Sequence, residues 1–313
     1  MSAAVEFLCR GNVVALPTET VYGLGADAMN ASAALKIFEA KERPKFDPLI
    51  IHLPDRDWLE RITHVGRAER KLVAQLADHF WPGPLTIVLP RRAVPDVVTA
   101  GLETVAVRMS AHPTFREVID AFGGPIAAPS ANRFGRISPT EAAHVFEELN
   151  GRIPLIVDGG ATSFGIESTI VAVRDGAIEI LRPGPISVEE LGEFGAVRNA
   201  IARERPEAPG QLPSHYAPRT PLRLTSNLER FEVPEGRVGA LLFGTTGIQD
   251  FAETRTLSST GDLREAAANL FRQLRELDAA GLDLIVAEHV PERGIGCAIM
   301  DRLRRAAALR EQA

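Results

Sequence analysis

The chain of 313 residues carries 41 acidic and 35 basic side chains for a net charge of -6, and only four of its cations are lysines. That length suits two domains better than one, and the acidic balance argues against a protein that coats nucleic acid, although a local basic groove would survive it. At 45% apolar and 24% charged residues the composition is that of a soluble globular protein; no run reaches 18 apolar residues and no basic segment precedes one, so a cytoplasmic protein without a membrane partner is expected.

In chain order, residues 3–10 are spaced as a short helix ended by Gly11, and 13–16 as a strand stopped by Pro17. The next segment, PTETVYGLGADA, sets hydroxyls and an acid among Val21, Tyr22 and Leu24, then opens at Gly23 and Gly25. It either carries a ligand or makes a tight turn that needs two glycines, since no GxGxxG or GxxxxGK[ST] marks a nucleotide loop. Residues 31–41 have helical spacing and run into Lys41, Glu42, Arg43, Pro44 and Lys45, three cations beside a helix C-terminus that favours them. Asp47-Pro48 turns the chain into apolar strand 49–53, whose one polar member is His52. Helix 67–80 leads through the rigid turn Trp81-Pro82-Gly83-Pro84 to strand 85–89, and a glycine turn at 101 to the strand TVAVRM. Alternation puts Thr104, Ala106 and Arg108 on one face of that strand and Val105 and Val107 on the other. A buried arginine there needs an anion, either an internal carboxylate or a ligand carboxylate or phosphate.

His112-Pro113 begins a helix to 122, and the chain then enters PIAAPSANRFGRISPT, residues 125–140. Its Ser130, Asn132, Arg133, Gly135, Arg136 and Ser138 suit a loop that cradles an anion. Ser138-Pro139-Thr140-Glu141 reads as a capping box with Ser138 as N-cap of a helix to 149, and a helix N-terminus behind a polar loop is a phosphate site. Residues 153–157 are expected as a strand before Asp158-Gly159-Gly160, GIESTIVAV places Ser168 and Thr169 before a β-branched strand, and strand 178–181 ends in Arg182-Pro183-Gly184. Short strands between helices, ending in Thr, Ser, Arg or Gly, predict an α/β domain with its site at the strand ends. From 193 to 221 the period is lost and prolines accumulate, which marks a linker; yet it carries Ser214-His215-Tyr216-Ala217-Pro218, a cluster that no plain spacer needs. Strand 238–243, glycines 244 and 247, helix 262–280, strand 284–287 and helix 298–309 then make a second, small α/β unit.

Cys9 and Cys297 stand far apart without a CxxC, which predicts neither a disulfide framework nor a metal site. Arginines, serines, threonines and one histidine at strand ends, without a GxSxG elbow, suit electrostatic chemistry in which phosphates and a carboxylate are held while reactants align. Nucleotidyl transfer fits that inventory, with magnesium as the expected cation on the leaving pyrophosphate.

Taken together, PTETVYGLGADA, AKERP, DPLIIHL, WPGPLTIVL, VAVRM, APSANRFGRISPT, VDGG, GIESTIV, LRPG, SHYAP and NLFRQLRELD cover most of the chain, and in that order they resemble the Sua5/YrdC/YwlC family in its long, two-domain form. The resemblance implies a YrdC-like α/β catalytic domain over 1–200, a twisted open mixed sheet with flanking helices. A linker over 201–221 would fold across the site, and 222–313 would form a small Rossmann-like Sua5 domain. It implies an enzyme that joins L-threonine, bicarbonate or CO2, and ATP into threonylcarbamoyl-AMP with release of pyrophosphate, the first step of a modification at adenosine 37 of tRNAs reading codons that start with A. The product would pass to a tRNA threonylcarbamoyl-transferase complex, with any direct tRNA contact weak; the competing reading is a module that binds double-stranded RNA or tRNA without catalysis. By motif, Lys41, Arg43 and Arg108 would be catalytic. ATP would lie against Arg43, Asp47, Thr104, Ser130, Asn132, Ser138, Arg182 and Tyr216, and threonine against Thr20, His52, Arg108, Ala128 and Ser168. Asp47 departs from the family pattern, which has an ATP-contacting asparagine there; a carboxylate beside phosphates should weaken binding unless it faces Lys45, Arg43 or a metal ion.

Overall fold

A computed structural model describes residues 2–200, 206–212, 215–228, 230–244 and 251–308. Ser214, Gly247 and Leu309 of the expected elements lie outside the described residues. Among the described residues the strands fall into a nine-stranded mixed sheet and a four-stranded parallel one. The first is built from β1 (Val14–Leu16), β2 (Gly23–Asp27), β3 (Ile50–His52), β4 (Leu85–Pro90), β5 (Thr104–Arg108), β6 (Ile126–Ala127), β7 (Thr169–Arg174), β8 (Ala177–Arg182) and β9 (Val197–Asn199), in the order β1-β2-β6-β3-β5-β4-β7-β8-β9. Pairs β3/β5, β4/β7 and β8/β9 are parallel and the others antiparallel. Helix α1 (Ser2–Cys9) precedes β1, and α2 (Ala31–Lys41), α3 (Asp57–Ile62), α4 (Arg70–Phe80), α5 (Asp96–Thr99), α6 (Pro113–Phe122), α7 (Ala142–Leu149) and α8 (Val188–Gly192) connect its strands.

Alternation along β5 decides which face carries the site. Val105 and Val107 pack into the main core with Leu24, Ile51, Ile87 and Val171, whereas Ala106 joins Ile50, Val88, Ile170 and Leu181 in a smaller cluster on the opposite face. Arg108 shares that second face, next to His52 across the parallel β3/β5 ladder. Helix α2 is capped by Asn30, whose side chain accepts from Ser32 N and Ala33 N. It stops at Glu42 in the left-handed region, φ 54°, and so delivers Lys41 and Arg43 to the sheet. Trp81 is buried turn packing, its Nε1 donating to Leu85 O at 2.7 Å.

The second sheet orders β10 (Leu222–Thr225), β13 (Leu284–Glu288), β11 (Val238–Leu242) and β12 (Glu253–Thr256), with α9 (Leu263–Ala279) and α10 (Gly296–Ala307) against it. Asp262 caps α9 by accepting from Glu265 N. Leu270, Phe271, Leu274 and Leu277 of α9 pack with Ile285, Ile299 and Leu303, and the same cluster takes in Val21, Ile137, Ile166 and Tyr216 from the other side. The two domains therefore share apolar burial, at roughly 1.5–3 kcal/mol for each large side chain. Gly165 makes the approach feasible: at φ +71° it lies so close to α9 that a Cβ would sit 2.5 Å from Ala267 O and Ala268 Cα.

Several expectations are corrected. GLGAD is a buried strand, β2, in which a Cβ on Gly25 would meet Ile126 Cγ2 at 3.0 Å; its glycines permit close packing beside β6. Residues 153–157 contribute one bridge, Ala15 to Ile156, in a segment where Pro154 has no N–H for a ladder. The capping box at Ser138 does not form. Helix α7 starts at Ala142 behind Glu141, whose side chain makes no cap bond, and Ser138 Oγ donates to the Glu167 carboxylate, a charge-assisted bond. Helices α3, α5 and α8 and strands β10 and β12 are too short or too polar to have shown a hydrophobic period.

Candidate active site

One cavity, about 510 Å³ of empty space including its open mouth, is lined by Thr20, His52, Arg108, Ala128, Ser130, Glu167, Ser168, Arg182, Tyr216 and Arg43, among others. It gathers the ends of β3, β5 and β8, the residue before β7, the turn between β1 and β2, and the loop after β6. Linker residues Pro209, Gly210, His215 and Tyr216 close it.

On one side stands Arg108. Its Nη1 donates to Thr20 Oγ1 at 3.2 Å and its Nη2 to Glu19 Oε1. The other oxygen of Glu19 accepts from Ser110 Oγ at 2.5 Å and Ala111 N at 3.2 Å. The anion that Arg108 requires is thus internal in this structure, while Arg108 Nε is buried without a partner. His52 lies alongside with its ring 4.5 Å from that of Phe115 and its Nδ1 also unpartnered. Burial, and then the charge of Arg108, hold its pKa well below the usual histidine value. A neutral imidazole of that kind orients a ligand and is a poor proton acceptor.

Arg182 donates from Nε and Nη2 to Ser168 O at 3.2 and 3.0 Å, from Nη2 to Ser168 Oγ at 3.1 Å, and from Nη1 to Pro209 O at 3.1 Å. Ser168 Oγ also meets Thr86 Oγ1 at 2.8 Å. Arg43 is fixed by the carbonyls of Asp47 and Pro48 at 3.1 and 2.8 Å, with Asp47 Oδ2 2.9 Å from its Nη2. Asp47 is fully buried, neither carboxylate oxygen accepts a hydrogen bond, and burial raises its pKa against the pull of Arg43.

Lys41 lies behind the loop. Its buried Nζ donates to Ser130 O at 2.6 Å and Asn132 O at 2.5 Å, so it shapes the loop from beneath. Asn132 Nδ2 holds Arg133 O and Arg136 O at 2.8 and 2.9 Å. Ser138 reaches the cavity through Glu167. Thr104 starts β5 on the face of Arg108, four residues away, or roughly 13 Å along the strand, and does not line the cavity.

The linker is tied down as well as folded over. Ala217 N donates to Gly135 O at 2.9 Å and His215 N to Arg305 O at 3.3 Å. Tyr216 adopts φ 62°, an uncommon conformation for a non-glycine residue. Its ring packs 5.6 Å from Phe271 and 4.1 Å from His215. Its hydroxyl is buried without a partner and its pKa is pushed up to about 12 by that burial. Gly210, φ +81°, leaves room for that hydroxyl, since a Cβ there would lie 2.5 Å from it.

Three charged residues escaped sequence reasoning: Glu19, Glu167 and Arg302. Glu167 is the single acid of GIESTIVAV, and Glu19 stands between two threonines ahead of an apolar stretch, a signal for a paired carboxylate. Arg302 falls in register with Ala298 and Ala306 on the buried face of α10, a position where an arginine needs an explanation.

A Sua5, YciO and YrdC family model described as "Telomere recombination" matches residues 6–184, and one described as "Threonylcarbamoyl-AMP synthase, C-terminal domain" matches 186–308. A threonylcarbamoyl-AMP synthase from Pyrococcus abyssi is 41% identical, covering 98% of this chain and 94% of its own length. One from Bacillus subtilis is 42% identical over 98% and 92%. The crystal structure of P. abyssi Sua5 complexed with L-threonine matches with a TM-score of 0.88 at 41% identity, covering 97% of this chain and 93% of that one. With both of its domains matched and its sheets arranged as described, the chain belongs to the Sua5/YciO/YrdC family in its two-domain, threonylcarbamoyl-AMP synthase form.

Proposed function

We propose that this chain makes threonylcarbamoyl-AMP from L-threonine, bicarbonate or CO2, and ATP, releasing pyrophosphate. The observation that carries the reading is the convergence on one cavity of three guanidiniums (Arg43, Arg108, Arg182), the hydroxyls of Thr20, Ser130 and Ser168, and a neutral imidazole, His52. Such a cavity suits an amino acid beside a polyphosphate.

Threonine lies against Thr20, His52, Arg108, Ala128 and Ser168, its carboxylate on the Arg108 edge whose Nε has no partner. ATP lies along Arg43, Ser130, Arg182 and Tyr216, with Ser138 acting through Glu167. Lys41 and Asn132 hold the loop. The threonine amine adds to CO2 and loses a proton to give a carbamate; a carbamate oxygen attacks the α-phosphorus, and the bond to the β-phosphate oxygen breaks with its electrons leaving on pyrophosphate. The arginines stabilise charge as it moves on to the leaving group, and alignment supplies much of the rest. The carboxylates beside the cavity, Glu19, Asp47 and Glu167, each face an arginine, and among the described residues no three His, Cys, Asp or Glu side chains converge on a metal site. That donor set does not fit a resident cation, so magnesium is taken to travel on the nucleotide. The chain acts in the cytoplasm and hands its product to a tRNA-modifying transferase.

Pyrophosphate release from purified protein with ATP, magnesium and bicarbonate, with and without L-threonine, tests the reading when product mass is followed in the same reaction. Threonine-dependent release with the threonylcarbamoyl-AMP mass is expected, and Arg108→Ala should raise the KM for threonine at least about tenfold. Release indifferent to threonine would sink it.

A further inference from the structure

Glu167 is an odd wall for a cavity that receives two anions. It is buried, at 6% exposure, and a bare carboxylate there would repel both polyphosphate and amino-acid carboxylate. Its Oε1 is taken by Ser138 Oγ and its Oε2 by Arg302 Nε at 2.9 Å. Arg302 belongs to α10 of the other domain and is 0% exposed. Its Nη1 donates to Pro183 O at 2.9 Å, in the turn after Arg182, and to Asp301 Oδ2 at 2.7 Å. The guanidinium carbon sits 5.3 Å from the Tyr216 ring centroid, within cation–π range. Asp301 also binds Arg305 Nε at 3.0 Å, and Arg305 Nη1 holds Leu212 O of the linker. One face of α10 thus touches the Glu167 wall, the turn that follows Arg182, and the linker.

We infer that Arg302 is a positioning residue for the nucleotide site: it neutralises Glu167 and keeps it turned towards Ser138, so that Arg182 and Arg43 are left to meet phosphate. The C-terminal domain therefore contributes one charge to the active site and is more than an anchor. The inference rests on the reading proposed above.

A charge role and an anchoring role separate in a double-mutant cycle on the full chain, read as KM for ATP, kcat and melting temperature. Arg302→Met should raise the KM for ATP about tenfold, because a buried carboxylate is left facing the polyphosphate. Added to Glu167→Gln, the same substitution should change that KM by at most about twofold relative to Glu167→Gln alone. Arg302→Lys, which keeps the charge and loses the fork, should raise that KM clearly less than Arg302→Met does. A simple anchor predicts the opposite: equal losses in both backgrounds, and a lysine variant as impaired as the methionine one; either result overturns the assignment. Should Arg302→Met not fold, the double variant against Glu167→Gln alone carries the test by the same twofold threshold. If the parent shows no threonine-dependent release, the functional reading fails independently, and ATP affinity from calorimetry takes the place of KM in the cycle.

Discussion

Three buried or nearly buried carboxylates, Glu19, Asp47 and Glu167, face Arg108, Arg43 and Arg302, so incoming anions compete with charges already in the protein. Desolvating such pairs is costly, and their geometry decides the net effect. Asp47 is the poorest of the three, being 2.9 Å from Arg43 Nη2 with no hydrogen bond on either oxygen. In Asp47→Asn, Arg43 keeps its bonds to the carbonyls of residues 47 and 48 and loses a competing counter-ion, so the KM for ATP should fall about threefold. Burial raises the folded pKa of Asp47 above its ordinary value of 3.8. Its contribution to stability is therefore fully present at low pH and declines as pH rises through that raised value. The stability difference between variant and parent should accordingly shift in the variant's favour from pH 4 to pH 7, as read by urea denaturation. A higher KM for ATP, or a pH-independent difference, would contradict this. That Arg108 needs an anion was legible from strand alternation; that the anion is Glu19, 89 residues away in sequence, was not, because only the fold brings them together.

At the scale of the element, residues 125–140 show how a local rule yields to a tertiary partner. Ser138, Pro139 and Glu141 have the spacing of a capping box, yet Pro139 O accepts from Tyr22 N at 2.9 Å and Ser138 Oγ turns to Glu167. Helix periodicity was legible in α2, α6 and α9, where apolar residues recur on one buried face. The two-residue strand β6 has no period to read and exists through its neighbours β2 and β3. The two interpretations of the loop separate by substitution. Ser138→Ala should cost about 1–3 kcal/mol, since it removes a donor from a buried carboxylate, and should raise the KM for ATP. Glu141→Ala, whose side chain caps nothing, should alter stability by less than about 0.5 kcal/mol. Equilibrium denaturation of both gives the comparison; a larger cost for Glu141 would mean that the box forms after all.

Across the whole molecule the two domains meet through a continuous apolar cluster and through α9 and α10, which place Arg275 on Ile137 O and Arg302 on Glu167. Composition and period announced two α/β units and a proline-rich connection, but the seam between them is made of residues remote in sequence and stayed invisible. His144 on α7 reports on that seam. Its Nδ1 lies 3.3 Å from Thr140 N and accepts from it, which requires a neutral ring. Burial, then the charges of Arg275 and Arg272 on α9, bring its pKa down to about 4 from 6.5. The sign follows from linkage: an unfolded chain protonates this histidine below about pH 6.5 while the folded one refuses the proton until about pH 4. Stability from this group is thus whole above pH 6.5 and is lost as pH falls towards 4. His52 and His215 are also held low, chiefly by burial, and add to the same slope, so the test is a difference. Between pH 6.5 and 4 the parent should lose more stability than His144→Gln. Arg275→Met, which removes one of the repelling charges, should move the NMR titration of His144 back towards its ordinary value. Equal losses in parent and His144→Gln, or a His144 titration unmoved by Arg275→Met, would mean that α9 does not act on α7 through charge and that apolar burial alone holds the seam.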